Sequence, residues 1–498
     1  MNVNPITRLD YPDPDVIRVE DTYYMASTTM HFMPGCEILQ SFDLVHWEHV
    51  TYVYETLDHT DAQQLKSGQN IYGQGMWAAS LRYHEGRFCI CFVANDTRKT
   101  YLYTSEKIDG PWKKQLIEGF YHDGSLLFDE DGRNYIVYGN DEIWITELNE
   151  DLTAPKKDGL HRLLVSDHKN PELGYEGSHI QKINGYYYIF LVHSLRDRWM
   201  RTEACFYSDS LEGEFTGGDV LCDDRGYCGQ GVAQGGIVDT PDGKWYAMLF
   251  QDSGAVGRIP ILIPVTWKDH FPFFGQNGHV PEEIEVHSTR PGYIYQPLVG
   301  SDDFCNGLLP RWQFNHDPDP RYYHLDALQG TYTITTREVC TELTQAVNTL
   351  TQRMSYPSCA AEVTVDASAL KEGDVAGLCA LQSCYAAVGI TKHHGKYEVL
   401  MLDKKEDGIL DMTEGTVVES HQMDFRLEAD FCNMKDEARC YYRVNKGDWL
   451  PIGTVHKLYF KLDHFTGCRF GLFCYAAEET GGSACFRDFK YYDVDEIS

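Results

Sequence analysis

Short apolar runs and polar turns alternate along the first part of the chain in a pattern that returns five times. The series opens at Tyr11–Pro12–Asp13–Pro14–Asp15–Val16–Ile17, where a carboxylate stands directly before a short apolar strand. A polar turn at Glu20–Asp21–Thr22 leads into a second β-prone run, Tyr23–Tyr24–Met25. The later units repeat this register. Ala78–Leu81 leads through Glu85–Gly86 to Phe88–Ile90, and Asp123–Leu127 through Asp131–Gly132 to Tyr135–Val137. Glu176–Ile180 leads through Asn184–Gly185 to Tyr186–Ile189, and Gln234–Val238 through Asp242–Gly243 to Trp245–Ala247. Asp-Gly and Asn-Gly between β-prone runs are strong hairpin signals. Further strand-like stretches follow, such as Glu37–Ser41 and Tyr101–Ser105. Three or four strands per unit, repeated five times, predict a five-bladed β-propeller.

In a propeller the first strand of each blade lines the central channel, so a residue just before that strand sits at one mouth. Asp13, Ala78, Asp123, Glu176 and Gln234 hold that position. Three carboxylates far apart in sequence are therefore expected to converge on one axial pocket. Asp15 has Ser at its register in repeats two to four and Gly in the fifth, so its carboxylate is not repeated.

The repeat stops after Phe271–Pro272–Phe273–Phe274–Gly275, and Ser288–Gly292 reads as linker. From about Asp302 a different set of alternating stretches begins, including Thr331–Thr335, Ala361–Val365, Tyr441–Val444 and Phe470–Cys474. Period-two alternation with Gly/Asp turns predicts a β-sandwich. The fold class is all-β: a propeller over residues 1–295, then a sandwich over 302–498, with no long amphipathic helix in either. The sandwich is expected to bury a propeller face and to complete the pocket wall with a loop. An independent carbohydrate-binding module is the alternative.

Composition narrows the partners. With 498 residues the chain exceeds one compact core. A formal net charge of -32 argues against nucleic acid or an anionic membrane as partner. No basic-then-apolar leader opens the chain and no apolar run is long enough to span a bilayer. Sixteen cysteines without an export signal point to reduced thiols and a cytoplasmic protein. Cys89–Ile90–Cys91 and Cys222 with Cys228 lack the spacing of a zinc site. His393–His394 belongs to an exposed turn. The sequence is compatible with a homo-oligomer and does not specify one.

Three converging carboxylates suit either a metal ion or acid–base hydrolysis of a glycosidic bond. Alanine and glutamine fill the other two register positions, with His179 nearby. No metal ligand set is assigned and no cofactor is required, although a structural or axial calcium ion is compatible with the channel. His179 itself is expected to cap or pack within its blade.

Tyr11–Pro12–Asp13–Pro14, Tyr121–His122–Asp123–Gly124–Ser125 and Tyr175–Glu176–Gly177–Ser178–His179 resemble the three catalytic motifs of glycoside hydrolase family 43. The resemblance covers essentially the whole chain, because the C-terminal part is similar to the concanavalin-like sandwich of the family's β-xylosidases. It implies Asp13 as the general base, Glu176 as the general acid, and Asp123 as the residue that raises the pKa of Glu176 and orients it. It implies inversion, with acid and base roughly 6.5–9.5 Å apart. It also implies that Arg258 contacts the terminal sugar, that Trp77 lines the pocket, and that Phe32 and Gln234 are substrate contacts. Two departures stand out. Gln234 replaces the histidine that many members carry on the axis, and Met30–His31–Phe32–Met33 differs from the more aromatic version of well-known β-xylosidases. The expected activity is exo-acting removal of terminal pentose from xylan-derived oligosaccharides, primarily as a β-xylosidase. The alternatives are an α-L-arabinofuranosidase and a non-catalytic carbohydrate-binding propeller.

Overall fold

Each of the five repeats folds into one four-stranded antiparallel sheet in a computed structural model that describes residues 2–413 and 415–493. Blade 1 comprises Asp15–Val19, Thr22–Ser27, Gly35–Ser41 and Glu48–Tyr54. The innermost strands of blades 2 to 5 are Met76–His84, Ser125–Phe128, Glu176–Ile183 and Val232–Asp239. Each touches the innermost strand of the next blade, and the fifth touches the first, so the ring closes. The turns form as their residues require: Asn184 and Gly185 sit at φ 50° and 85°, Glu85 and Gly86 at 49° and 78°. Positive φ at both central positions matches the twist of the flanking strands.

The register position two residues below the mouth builds a belt between blades. Asp15 Oδ2 accepts from Leu81 N at 2.7 Å, Ser80 Oγ from Leu126 N at 3.1 Å, and Ser125 Oγ from Ile180 N at 3.0 Å. A short acceptor side chain on one blade thus satisfies a backbone donor that the next blade would otherwise leave unpaired inside the protein. Asp15, singled out in the sequence only for not being repeated as a carboxylate, is the first member of this series. The series stops at Ser178, whose Oγ has no hydrogen-bond partner among the described residues, and blades 4 and 5 are joined instead by Gln181 Nε2 donating to Ile237 O at 2.7 Å. Arg18 of blade 1 donates through Nε to Asp239 Oδ1 of blade 5 at 3.1 Å. His179 does not cap or pack within its own blade: its Nδ1 lies 3.1 Å from Asp15 Oδ1 across the channel.

The C-terminal half is a sandwich of a nine-stranded and a seven-stranded sheet around a large apolar core. Its larger sheet runs on into the propeller. Phe32–Met33 pairs with Gln313–Asn315, with Phe314 opposite Met33 and Asn315 opposite Phe32. This pairing corrects the expectation for Phe32. Its ring is fully buried among sandwich residues, 3.5 Å from the Arg469 guanidinium, and does not face the pocket. The strand pairing turns that side chain away from the channel.

The two halves are held by buried polar contacts. Asp10 Oδ1 accepts from Arg258 N at 2.7 Å and its Oδ2 from Gly467 N at 2.8 Å. Gly257 sits at φ 105° between them, and a Cβ there would lie 2.3 Å from Asp10 Oδ1. Arg353 of the sandwich pairs with Glu37 of blade 1 at 2.8 Å and packs over the Tyr11 ring. Despite full burial, Arg353 and His49 hold the Glu37 carboxyl low, at about 2. The Ser288–Gly292 stretch is strapped to blade 1 as it leaves the propeller. Thr289 Oγ1 donates to Asp21 O at 2.6 Å and Arg290 Nε to Asp21 Oδ2 at 2.8 Å.

Candidate active site

All five mouth positions, Asp13, Ala78, Asp123, Glu176 and Gln234, line one cavity of about 680 Å³. That is within the roughly 300–1,000 Å³ of small-molecule sites. The backbone is bent to aim these side chains inward. Asp13, Asp123 and Gln234 have φ of 52°, 47° and 69°. Irregular register occurs at Met76/Ala79, Glu176/His179 and Ala233/Gly236 in the innermost strands of blades 2, 4 and 5. Bulges of this kind re-aim a side chain where a strand meets a site. Gly177, at φ 65°, passes so close to Gln234 that a Cβ would lie 2.7 Å from Gln234 Cγ.

Asp13 is buried at the cavity floor. Arg258 Nη1 donates to its Oδ1 at 2.9 Å and Thr28 Oγ1 to its Oδ2 at 2.6 Å. Each oxygen keeps lone-pair capacity toward the cavity. Arg258 is only 3% exposed, and its Nε and Nη2 have no partner within the protein. Unpaired buried donors are costly, and this guanidinium, in the cavity wall, lies against the Phe250 and Phe465 rings. Glu176 is partly open, and Asn140 Nδ2 donates to its Oε2 at 2.7 Å. Asp123 lies deeper, accepting from Gly177 N at 3.0 Å.

His122 was quoted in the sequence only as part of a motif, yet it is central to the charge balance. Its Nε2 stands 3.5 Å from Asp123 Oδ2 and 3.6 Å from Glu176 Oε2. Burial opposes a charge on the imidazole, but the adjacent carboxylates outweigh it and raise its pKa to about 9. Burial, joined by the negative charges of Glu176 and Asp13, pushes Asp123 up to about 6 against the pull of His122. One donor atom from each of these three residues lies within 4.8 Å of the others. The His122 Nε2 contacts, at 3.5 and 3.6 Å, are longer than hydrogen bonds, so the three groups interact through charge.

The axis beneath the carboxylates carries a protein cation. The guanidinium of Arg82 crosses it, donating to Asp15 and to the carbonyl oxygens of Leu126 and Ile180, which are the oxygens a cation would seek. The arginine also separates the cavity from a second one of about 410 Å³ at the opposite end of the channel.

Trp77 lines the pocket, its ring 5.6 Å from His122 and 6.0 Å from Phe465. Gln234 contributes to the wall, and its backbone N donates to Glu203 Oε2 at 2.7 Å. Several lining residues have no signature in the repeats. Trp199, 44% exposed, lies over Arg201, and Arg201 pairs with Asp252. Burial, with the like charge of Arg258 beside it, lowers Arg201 to about 10. Phe460, Leu462 and Phe465 come from a sandwich loop, and the Phe465 ring lies 4.6 Å from the Arg258 guanidinium. The expected pocket-completing loop is this one. Met30, two residues before Phe32, takes the lining position expected for the phenylalanine.

Comparison with known proteins agrees with this architecture. The sequence profile of glycosyl hydrolases family 43 matches residues 3–272, and that of the β-xylosidase C-terminal concanavalin A-like domain matches 301–492. A β-xylosidase of Formosa agariphila is 26% identical over 99% of this chain and 89% of its own length. A solved bifunctional GH43-CE protein of Bacteroides eggerthii is 41% identical with a TM-score of 0.92. It covers 100% of this chain, which spans only 64% of that longer protein. A GH43 enzyme engineered for endo-xylanase and exo-arabinofuranosidase activity is 27% identical, with a TM-score of 0.88 over 99% of both chains.

Proposed function

The chain belongs to glycoside hydrolase family 43, and we propose that it releases terminal xylose from the non-reducing end of xylan-derived oligosaccharides, with inversion. The observation that carries this reading is the convergence of Asp13, Asp123 and Glu176 on one blind cavity floored by Arg258. Arg82 blocks the channel beneath and the sandwich loop walls one side, so a chain end can enter and a continuous polymer cannot thread through. That geometry supports exo action.

In the proposed reaction Asp13 takes a proton from a water molecule, whose oxygen attacks the anomeric carbon. Glu176 gives its proton to the departing glycosidic oxygen as the old C–O bond breaks on the opposite face. Thr28 and Arg258 fix the rotamer of Asp13, and Asn140 fixes one oxygen of Glu176. Asp123 and His122 set the local charge around the acid. Arg258 supplies a cationic wall beside the bound sugar, while Trp77 and Phe465 cover the apolar faces of the ring. The sixteen cysteines are all free thiols, which supports action in a reducing compartment.

Rates on aryl β-xyloside and aryl α-L-arabinofuranoside, together with release of xylose from xylobiose, test this reading. Faster arabinofuranoside cleavage makes arabinofuranosidase the main activity. Sugar binding without release of any monosaccharide refutes the enzyme mechanism.

A further inference from the structure

Beneath the three carboxylates lies a charge that the reaction above does not use. Arg82 leaves the innermost strand of blade 2 and reaches across the channel. Its Nη1 donates to Asp15 Oδ2 of blade 1 at 2.7 Å and to Leu81 O at 2.6 Å. Its Nε donates to Leu126 O of blade 3 at 2.9 Å. Its Nη2 donates to Ser125 Oγ of the same blade at 2.8 Å and to Ile180 O of blade 4 at 3.3 Å. One planar, permanently charged group therefore ties four blades together. The other oxygen of Asp15 is taken by His179 of blade 4. Burial favours a neutral Asp15, but Arg82 and His179 overcome it and hold the carboxyl below its ordinary pKa.

The partners of this group are the near neighbours of the mouth residues. Asp15 follows Asp13 by two positions and Ser125 follows Asp123 by two. His179 and Ile180 lie three and four positions beyond Glu176. Two residues of extended chain span only about 7 Å, so a tilt of any blade at this level is passed to the carboxylate above it. An in-line displacement tolerates little of this, since a misplacement of about 1 Å costs on the order of 100-fold in rate.

We infer that Arg82 is a positioning residue whose guanidinium acts as the built-in axial cation of this propeller, setting the spacing of Asp13, Asp123 and Glu176 in place of a bound metal ion. The inference rests on the hydrolase reading, and the two are separated by assaying the wild type on xylobiose first. If the wild type releases no monosaccharide from xylobiose or from aryl α-L-arabinofuranoside, with or without added calcium, the hydrolase reading fails and this inference falls with it. Given turnover, the wild type keeps full activity after treatment with EDTA and gains none from calcium. Arg82→Ala loses about 100-fold in kcat while KM changes less than about threefold. Arg82→Lys retains more activity than Arg82→Ala, and millimolar guanidinium raises the rate of the alanine variant but not of the wild type. A folded Arg82→Ala enzyme with wild-type kcat overturns the inference, as does a wild type that EDTA inactivates and calcium restores. Should Arg82→Ala fail to fold, Asp15→Asn decides, because it keeps an acceptor for the Leu81 N–H and removes the charge that holds Arg82. The expectation for it is a fall of about tenfold in kcat at unchanged KM, and an unchanged kcat overturns the inference.

Discussion

Two sets of residues, two positions apart in the first three repeats, behave in opposite ways. The upper ring, Asp13, Ala78, Asp123, Glu176 and Gln234, faces a cavity. The nearby Arg258 has unpaired buried donors, and Asp123 and His122 have strongly shifted pKa values. The lower series, Asp15, Ser80 and Ser125, is spent on inter-blade hydrogen bonds. Asp13 and Asp15 are both buried carboxylates, but Asp15 receives three donors from protein groups on blades 2 and 4. Asp13 receives two and keeps its remaining capacity for the cavity. The same repeat thus supplies reactivity where it leaves polar groups unsatisfied and cohesion where it satisfies them.

The most direct way to break this contrast is Asp13→Ala. We expect turnover to fall by at least about 10²–10⁴, the usual range for a general base, while xylobiose still binds and the melting transition stays cooperative. Near-native hydrolysis would remove Asp13 from the upper ring as a catalytic residue. Trp199→Ala sharpens it next. The indole is exposed at the cavity wall and comes from the same blade as Glu176, which suits it as a stacking surface for the leaving sugar of the proposed reaction. We expect kcat/KM on xylobiose to fall about tenfold, while xylosyl fluoride, which has no leaving sugar to stack, reacts at close to the wild-type rate. Equal losses on both substrates would make Trp199 a structural residue.

The charge cluster gives a pH test. His122 is raised from its ordinary 6.5 to about 9, so the folded protein binds a proton that the unfolded chain releases. The resulting stability is complete below about 6.5 and is lost as pH rises through about 9. Melting temperature should therefore drop across that window in the wild type, and His122→Gln should flatten the drop. Identical profiles for the two proteins would show that the imidazole does not carry the charge assigned to it. The smallest kinetic effect is expected at Phe32. Phe32→Leu should leave kcat/KM within about twofold and lower only the melting temperature, whereas Phe465→Ala should raise KM several-fold. A large KM effect at Phe32 would return it to the pocket.

Much of this was legible in the chain because a propeller repeats its geometry. Five equivalent turns imply five equivalent inner strands, so a shared register places Asp13, Asp123 and Glu176 at one mouth without any long-range information. Phe32 was misplaced because proximity in sequence to a pocket residue does not fix the face of a strand. Its pairing with Asn315, hundreds of positions away, does. Trp199, Arg201 and Asp252 were missed because they come from a loop and from the ends of strands behind the innermost ones, where the repeat carries no common signal. His122 could have been noticed, since an imidazole beside a mouth carboxylate will change its charge.

By itself, then, the order of residues determined the all-β class, the five blades, the sandwich and the three converging acids, since turn chemistry and period-two alternation are local properties. Only the tertiary structure decided which neighbours share a charge, which sandwich loop completes the pocket, and that the channel is closed by Arg82. Those outcomes depend on distances between blades and domains, and no local pattern of residues encodes them.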